Sequence, residues 1–332
     1  MHQVAGRPGA RSLLLWVGLL VSAGFTYLAV RGVDFAEVRE ALADANLWWL
    51  VPALGALAAG IAVRALRWQF LFSSERRPPF RAAADALLVG IFVNSILPVR
   101  AGEAARIVVL NQRQQTSRVE AVGTVVLERA LDILCLLLLL FAIVLWLPPV
   151  SWLLPAAVVA VFVAAALPLL AWLLARFEER PVRAALRPLA RLRLVGEKRL
   201  HRAGTNLVHG LVGLRDWRLL ATGVALTTVS WLWLGLSMWF VLEAFDLGLS
   251  LLAGLLVAIA VNIGMILPSS PAAVGVFEAA VLVALDAYGV PKEEALSCAI
   301  VAHVLNFVPF VIAGPLVLHS HATSLRRVSA GT

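Results

Sequence analysis

The chain has 332 residues, 61% of them hydrophobic and only 14% charged, with a mean hydropathy of +0.90. A soluble domain is about 45–50% apolar and about 25% charged, so this composition excludes a soluble enzyme and identifies an integral membrane protein. The net charge of +8 sits in segments beside apolar runs. That is the positive-inside pattern of membrane proteins, and it argues against a nucleic-acid partner.

In chain order, His2 to Arg11 is a short basic tail, followed by a first apolar span over 12–30. This span is longer than a signal-peptide core and lacks a small-x-small cleavage site, so it is expected to stay, with the N-terminus cytoplasmic. Residues 31–45 carry four acids against two arginines, which suits the outside. The second span, 47–72, returns to the cytoplasm among Arg64, Arg67, Arg76, Arg77 and Arg81. Arg64 and Arg67 are expected to reach outward to the lipid headgroups.

Residues 83–112 are different. Gly90 to Arg106 reads GIFVNSILPVRAGEAAR, which sets Asn94, Pro98, Arg100, Glu103 and Arg106 where a membrane helix should be apolar. Pro98 lacks an N–H and its ring clashes with the preceding turn, and Leu97 before it is biased to extended geometry. A broken, charged helix at membrane depth is tolerated only inside protein or against a water-filled cavity. Basic residues flank both ends, so the segment is predicted to be a re-entrant hairpin from the cytoplasm.

The third span, 120–147, runs outward, turns at Pro148, Pro149 and Ser151, and returns as a fourth span, 151–174. Residues 175–218 form a basic loop with eleven Lys and Arg against four acids, net +7. It is expected in the cytoplasm, either solvated or lying on the anionic inner leaflet. The fifth span, 219–246, ends at Glu243 and Asp246. Residues 251–288 contain the second break, NIGMILPSSPAAVGVFE, predicted to be a hairpin entering from outside. The last span, 295–318, is followed by Arg326 and Arg327, which place the C-terminus inside. The predicted fold is an all-α integral membrane protein with six full spans and two re-entrant helical hairpins. Cys135 and Cys298 lie in apolar segments and are expected to be buried thiols.

The flanking charges give the two hairpins opposite senses, and both breaks carry Asn, Pro, Gly and Glu in the same order: Asn94, Pro98, Gly102, Glu103 and Asn262, Pro268, Gly275, Glu278. An inverted repeat with interrupted helices in matching positions points to a transporter with its site at the bilayer midplane. Two unrelated proline-kinked spans would be the plainer alternative. Each break is expected to expose a half-helix N-terminus, with Ser270 before Pro271 as a cap and start signal. Free N–H groups and the helix dipole there favour an anion, and Arg100 adds a fork suited to phosphate. The candidate lipid-headgroup site is therefore Asn94, Arg100, Glu103, Arg106, Asn262, Ser270 and Glu278.

A second cluster, Glu128, Arg129 and Asp132, lies in the third span, with Asp132 about 18 Å along it. Glu128 and Asp132 share a face, and Arg129 reaches Asp132 at i, i+3. It is read as a cation or proton site, a brace for the first hairpin, or a structural ion pair. His303, with Asn306 one turn on, is a candidate for a proton relay or for a simple hydrogen bond. The sequence contains no phosphate-binding loop, no H-E-x-x-H and no G-x-S-x-G, and it calls for no cofactor.

NSILPVRAGEAAR (Asn94 to Arg106), ERALD (Glu128 to Asp132) and PSSPAAVGVFE (Pro268 to Glu278) resemble the transmembrane flippase-like region of lysylphosphatidylglycerol synthases and its stand-alone relatives. The likeness spans roughly Trp48 to Leu318. Ala272 and Ala273 depart from it, standing where glycines are usual. In the full-length synthases a soluble aminoacyl-transferase domain follows, and the chain stops soon after its last span. The resemblance therefore implies translocation or binding of a membrane lipid, and does not carry the synthase activity. Two other readings stand beside a lipid carrier. One is a membrane glycosyl- or headgroup-transferase using polyprenyl phosphate, with Glu103 or Asp132 as base. The other is a subunit that presents lipid to a separately encoded lipid-modifying enzyme.

Overall fold

The protein is described by a computed structural model over residues 8–72, 77–97, 101–114, 118–147, 158, 217–267 and 269–330. Nearly all of the predicted fourth span (151–174) and of the basic loop (175–218), and Pro98, Arg100 and Pro268, lie outside the described residues. Among the described residues all regular structure is helical. In order the helices are α1 (Pro8–Val30), α2 (Phe35–Asp44), α3 (Leu50–Phe70), α4 (Phe80–Ile96), α5 (Gly102–Gln114), α6 (Arg118–Val144), α7 (Trp217–Ala244), α8 (Leu251–Gly264), α9 (Val276–Asp286) and α10 (Lys292–Ala330). Short 3-10 turns precede α3 (Leu47–Trp49) and α9 (Pro271–Ala273). By length and composition three of the described helical stretches can each cross a membrane: Leu47–Phe70, Arg218–Ala244 and Lys292–Ser320. Trp16–Val30 joined to α2, bent by 82°, gives up to a fourth.

The acidic stretch expected outside carries a helix, α2. Asp34 caps α2, its Oδ1 accepting the Ala36 N–H at 2.8 Å, and Glu37 follows in the first turn. Asp34 with Glu37 three residues later is the sequence signature of a helix start. Val38 is the buried residue of α2, and its carbonyl accepts the Ser297 hydroxyl of α10.

Both breaks fold back on themselves. A kinked but continuous helix would separate Gly90 and Gly102 by about 18 Å. Instead, a Cβ added to Gly102 would lie 2.0 Å from the Gly90 carbonyl oxygen, so α5 returns along α4. Likewise a Cβ on Gly264 would lie 3.3 Å from that of Ala280, sixteen residues on, so α9 returns along α8. At 1.5 Å per residue, α4 and α5 measure about 25 and 20 Å, and α8 and α9 about 21 and 16 Å. Each arm falls short of a hydrocarbon core of about 30 Å.

The chain divides into two compact units. One comprises residues 1–59, 85–106 and 232–332, and so holds the apices of both hairpins together with α1, α2 and α10. Within it α9 packs on α8, α10 and α1, and α10 on α2. The Phe92 ring of α4 sits on Gly314 of α10, where a Cβ would come within 2.3 Å of the Phe92 Cβ. The other unit comprises residues 60–84 and 107–231. Its core is Leu71, Leu127 and Leu131, with Leu219, Leu220 and Val224 packed against them. Cys135 and Cys298 are both free and buried, one in each unit.

Candidate functional site

At the first break, Asn94 ends α4 on the side facing α5. Its Oδ1 accepts the Gly102 N–H at 2.7 Å, eight residues ahead. A helix leaves its first N–H groups without helical partners, so Asn94 acts as a cap supplied from the other arm of the hairpin. Glu103 follows in the first turn of α5 and is half-buried. Arg106 is 2% exposed, with its stem against Gly90. The apolar residues of the apex stay uncovered: Ile96 and Leu97 are both exposed.

The second break differs in how it is capped. Asn262 does not reach across. Its Nδ2 donates to the Ala258 carbonyl of its own helix at 2.8 Å. Ser270 does not start the returning helix either. Pro271–Ala273 is a single 3-10 turn, Ser270 makes no side-chain cap, and its Oγ donates to the Pro271 carbonyl at 3.2 Å. The helix begins five residues later, at Val276, because Gly275 lies between with φ +84 and packs directly on α1. A side chain at Gly275 would meet Thr26 Oγ1 at 2.2 Å. Glu278 then folds back over its own helix start, Oε2 accepting the Gly275 N–H at 2.6 Å. The N-terminus expected to be open to an anion is thus occupied by a carboxylate of the protein itself. The other Glu278 oxygen, Oε1, lies 2.5 Å from His303 Nδ1 of α10.

α1 is part of this arrangement, although in the sequence it stood apart from the repeat. Ser22 is buried, and its hydroxyl accepts the Ser270 N–H at 2.8 Å. The signal was present as Ser22 and Thr26, one turn apart in an otherwise apolar span.

Ala272 and Ala273 both adopt φ +59. A side chain in this left-handed region costs roughly 1–2 kcal/mol relative to glycine. The two positions therefore have glycine geometry without glycine. Ala272→Gly and Ala273→Gly should each raise stability by about 1 kcal/mol, read as greater retention of folded, detergent-extracted protein on heating. A lowered stability in both variants would mean that the turn is not left-handed.

The charge cluster belongs to the second unit, and its centre is a residue that the sequence placed at the headgroups. Arg67 is 0% exposed. Its Nη1 contacts Asp132 Oδ1 at 2.5 Å and donates to Thr227 Oγ1 at 3.0 Å. Its Nη2 approaches Glu128 Oε1 at 3.0 Å, a charge contact without hydrogen-bond alignment. Arg129, about half exposed, lies 3.5 Å from Asp132 and 3.8 Å from Glu128. Arg64 also fails to reach outward as expected: its guanidinium lies 4.7 Å from the centre of the Trp231 ring. Trp68 closes one side, donating from Nε1 to Thr124 Oγ1 at 3.1 Å. Of the three readings of Glu128, Arg129 and Asp132, this geometry favours a structural ion network. His303 belongs to the other unit and pairs with Glu278.

Over residues 15–314 the sequence matches the family described as the lysylphosphatidylglycerol synthase TM region. The chain belongs to that family. No curated protein matches it significantly. Membership of the lysylphosphatidylglycerol synthase TM region family agrees with the helical, apolar fold and indicates a membrane-lipid role. The match covers both hairpins, the Arg67 network and most of α10.

Proposed function

We propose that the protein is a carrier that moves an anionic or modified phospholipid, or an isoprenoid-phosphate lipid, between the leaflets of the cell membrane. The observation that carries this reading is the pair of helix breaks, within residues 85–106 and 251–288, that fall in one compact unit. Interrupted helices in matching positions of a repeat are where transporters hold their substrates. Each hairpin has arms too short to span and leaves apolar apex residues uncovered: Ile96 and Leu97 in the first, Ile266, Leu267 and Val274 in the second. Uncovered apolar surface beside polar backbone suits a substrate with acyl chains and a charged head. In this reading Arg100 and Glu103 serve the headgroup from the first hairpin, with the buried Arg106 packed behind them on Gly90 and Asn94 holding the arm they stand on. Asn262, Ser270 and Glu278 shape the second. Both termini and the basic loop face the cytoplasm and its anionic leaflet.

Reconstituted vesicles with a fluorescent phosphatidylglycerol, and a zwitterionic lipid alongside, test this by the rate of leaflet exchange. Arg100→Ala and Arg100→Lys should each reduce exchange at least about tenfold while extraction and folding stay normal. An ammonium cannot reproduce the two-pronged contact of a guanidinium with phosphate. Arg39→Ala is the matched control, since Arg39 is exposed on α2. Arg67 is unsuitable because it is buried in an ion network. Full exchange in Arg100→Ala would remove Arg100 from the site. Absence of exchange with anionic, zwitterionic and isoprenoid-phosphate lipids alike would remove the carrier reading.

A further inference from the structure

The Glu278–His303 pair joins the returning arm of the second hairpin to the last helix, and the lipid-carrier reading gives His303 no role. The side chains are only 15% and 12% exposed. The imidazole lies against Phe277 and Phe307, with ring centroids at 4.6 and 4.4 Å, and the two phenyl rings meet edge to face at 6.0 Å. Phe277 neighbours Glu278 in α9 and Phe307 lies one turn beyond His303 in α10, so each of the two helices sets one aromatic ring against the imidazole. The packing leaves His303 Nδ1 directed at Glu278 Oε1.

α2, packed on α10, carries Glu37, Arg39, Glu40 and Asp44, all exposed. Of the helices packed on α9, α8 carries no ionisable residue and α1 carries only Arg11 and Tyr27, Tyr27 being exposed. α10 contributes His303, with Lys292, Glu293, Glu294 and the buried Cys298 toward its start and His319, His321, Arg326 and Arg327 toward its end. α9 itself carries Asp286 at its far end, two turns from Glu278.

We infer that the Glu278–His303 pair is a proton-binding site whose occupancy sets the capping of α9 and thereby the shape of the second hairpin. With a neutral imidazole, Nδ1–H donates to the carboxylate and the pair carries one negative charge. Uptake of one proton from water, at the ring nitrogen facing away from Glu278, makes the pair neutral with no other bond made or broken. The same Glu278 carboxylate accepts the Gly275 N–H through Oε2. A carboxylate whose charge is matched by an imidazolium binds that N–H less strongly than one whose charge is unmatched. Proton uptake therefore loosens the cap, and with it the turn at Gly275 packed on α1. The proton site stands on this geometry alone; its coupling to lipid movement rests on the carrier reading.

Two measurements on the full-length protein separate the two. The first is proton uptake by purified protein after an acid pulse between about pH 5 and 8, followed with an indicator dye. Wild type should take up about one proton more per chain than His303→Gln, and Glu278→Gln should also differ from wild type. The second is leaflet exchange of fluorescent phosphatidylglycerol in vesicles of phosphatidylethanolamine and phosphatidylglycerol, with and without an imposed pH gradient. The gradient should change the wild-type rate by about fivefold or more and leave both variants unchanged. Equal uptake by wild type and His303→Gln overturns the proton site, whatever the lipid does. Missing uptake in the variant without lipid movement in any vesicle upholds the proton site and defeats the carrier reading. Normal extraction and heat resistance of His303→Gln, which keeps a hydrogen-bonding group, show that the readout is not a folding defect.

Discussion

Arg67→Ala should leave the protein largely unfolded or degraded. The substitution removes the buried cation that meets both Glu128 and Asp132. Arg129 cannot replace it, because its half-exposed guanidinium already stands 3.5 and 3.8 Å from those two residues. Removing one partner of a buried ion pair typically costs about 3–5 kcal/mol, since the remaining charge stays buried without compensation. That is a large part of a stability of about 5–15 kcal/mol. The network as a whole need not stabilise the fold, and this gives a sharper test. Arg67→Met combined with Glu128→Gln and Asp132→Asn removes the three buried charges together, leaves the half-exposed Arg129 to turn to solvent, and should recover most of the folded, monodisperse protein after extraction. Arg67→Lys should fall between, because one ammonium cannot hold both carboxylates in the geometry of the guanidinium fork. Wild-type yield and heat resistance in Arg67→Ala would show that the network is dispensable.

Gly102→Ala should open the first hairpin and stop lipid exchange. Its Cβ would fall 2.0 Å from the Gly90 carbonyl oxygen and 2.6 Å from the Asn94 side chain. The first obstacle is backbone, so no side-chain rotation relieves it. Overpacking of this kind costs about 1–3 kcal/mol or more, and here the strain falls on the cap between Asn94 and Gly102. Asn94→Ala, which removes that cap without a clash, should cost about 1 kcal/mol. Gly55→Ala is the contrasting case: no atom lies within 4 Å of the added methyl, and alanine favours the helix by roughly 0.5–1 kcal/mol. Thermal retention and leaflet exchange should therefore separate in the order Gly55→Ala, Asn94→Ala, Gly102→Ala. A Gly102→Ala protein with normal exchange would contradict the close approach of α4 and α5.

What the sequence made legible follows the reach of local chemistry. The first break was readable because Asn94, Pro98, Gly102 and Glu103 interrupt an apolar run, and such an interruption has few uses inside a membrane. The second was readable as a break but not in detail. Ser270 with Pro271 is a sound local start signal, yet Gly275 comes against Thr26 and Ser22 of α1 and moves the helix start to Val276. That contact joins residues some 250 positions apart, beyond the reach of spacing. Arg67 was misplaced for the opposite reason: position near a span end was allowed to outweigh charge balance. Glu128 and Asp132 in α6 outnumber Arg129, and a missing cation had to come from another helix. Arg67 also continues the face of Ala53, Leu57 and Gly60 along α3 at helical spacing. The acidic segment before α3 was read by charge alone, although Asp34 and Glu37 mark the start of α2.

The last helix is unevenly stiff. Pro309 and Pro315 lie inside α10, so the carbonyls of Leu305 and Val311 lack their usual helical partners and the rod bends most readily over that stretch. Phe92 of the first hairpin bears on α10 at Gly314, within the soft stretch. His303, six residues before Pro309, lies on the other side of it, fastened to the second hairpin through Glu278. α10 is thereby soft between its two hairpin contacts. Bending over that stretch is the least costly way for the Phe92 contact to shift relative to the Glu278–His303 contact, so the prolines sit where they let the two hairpins move separately.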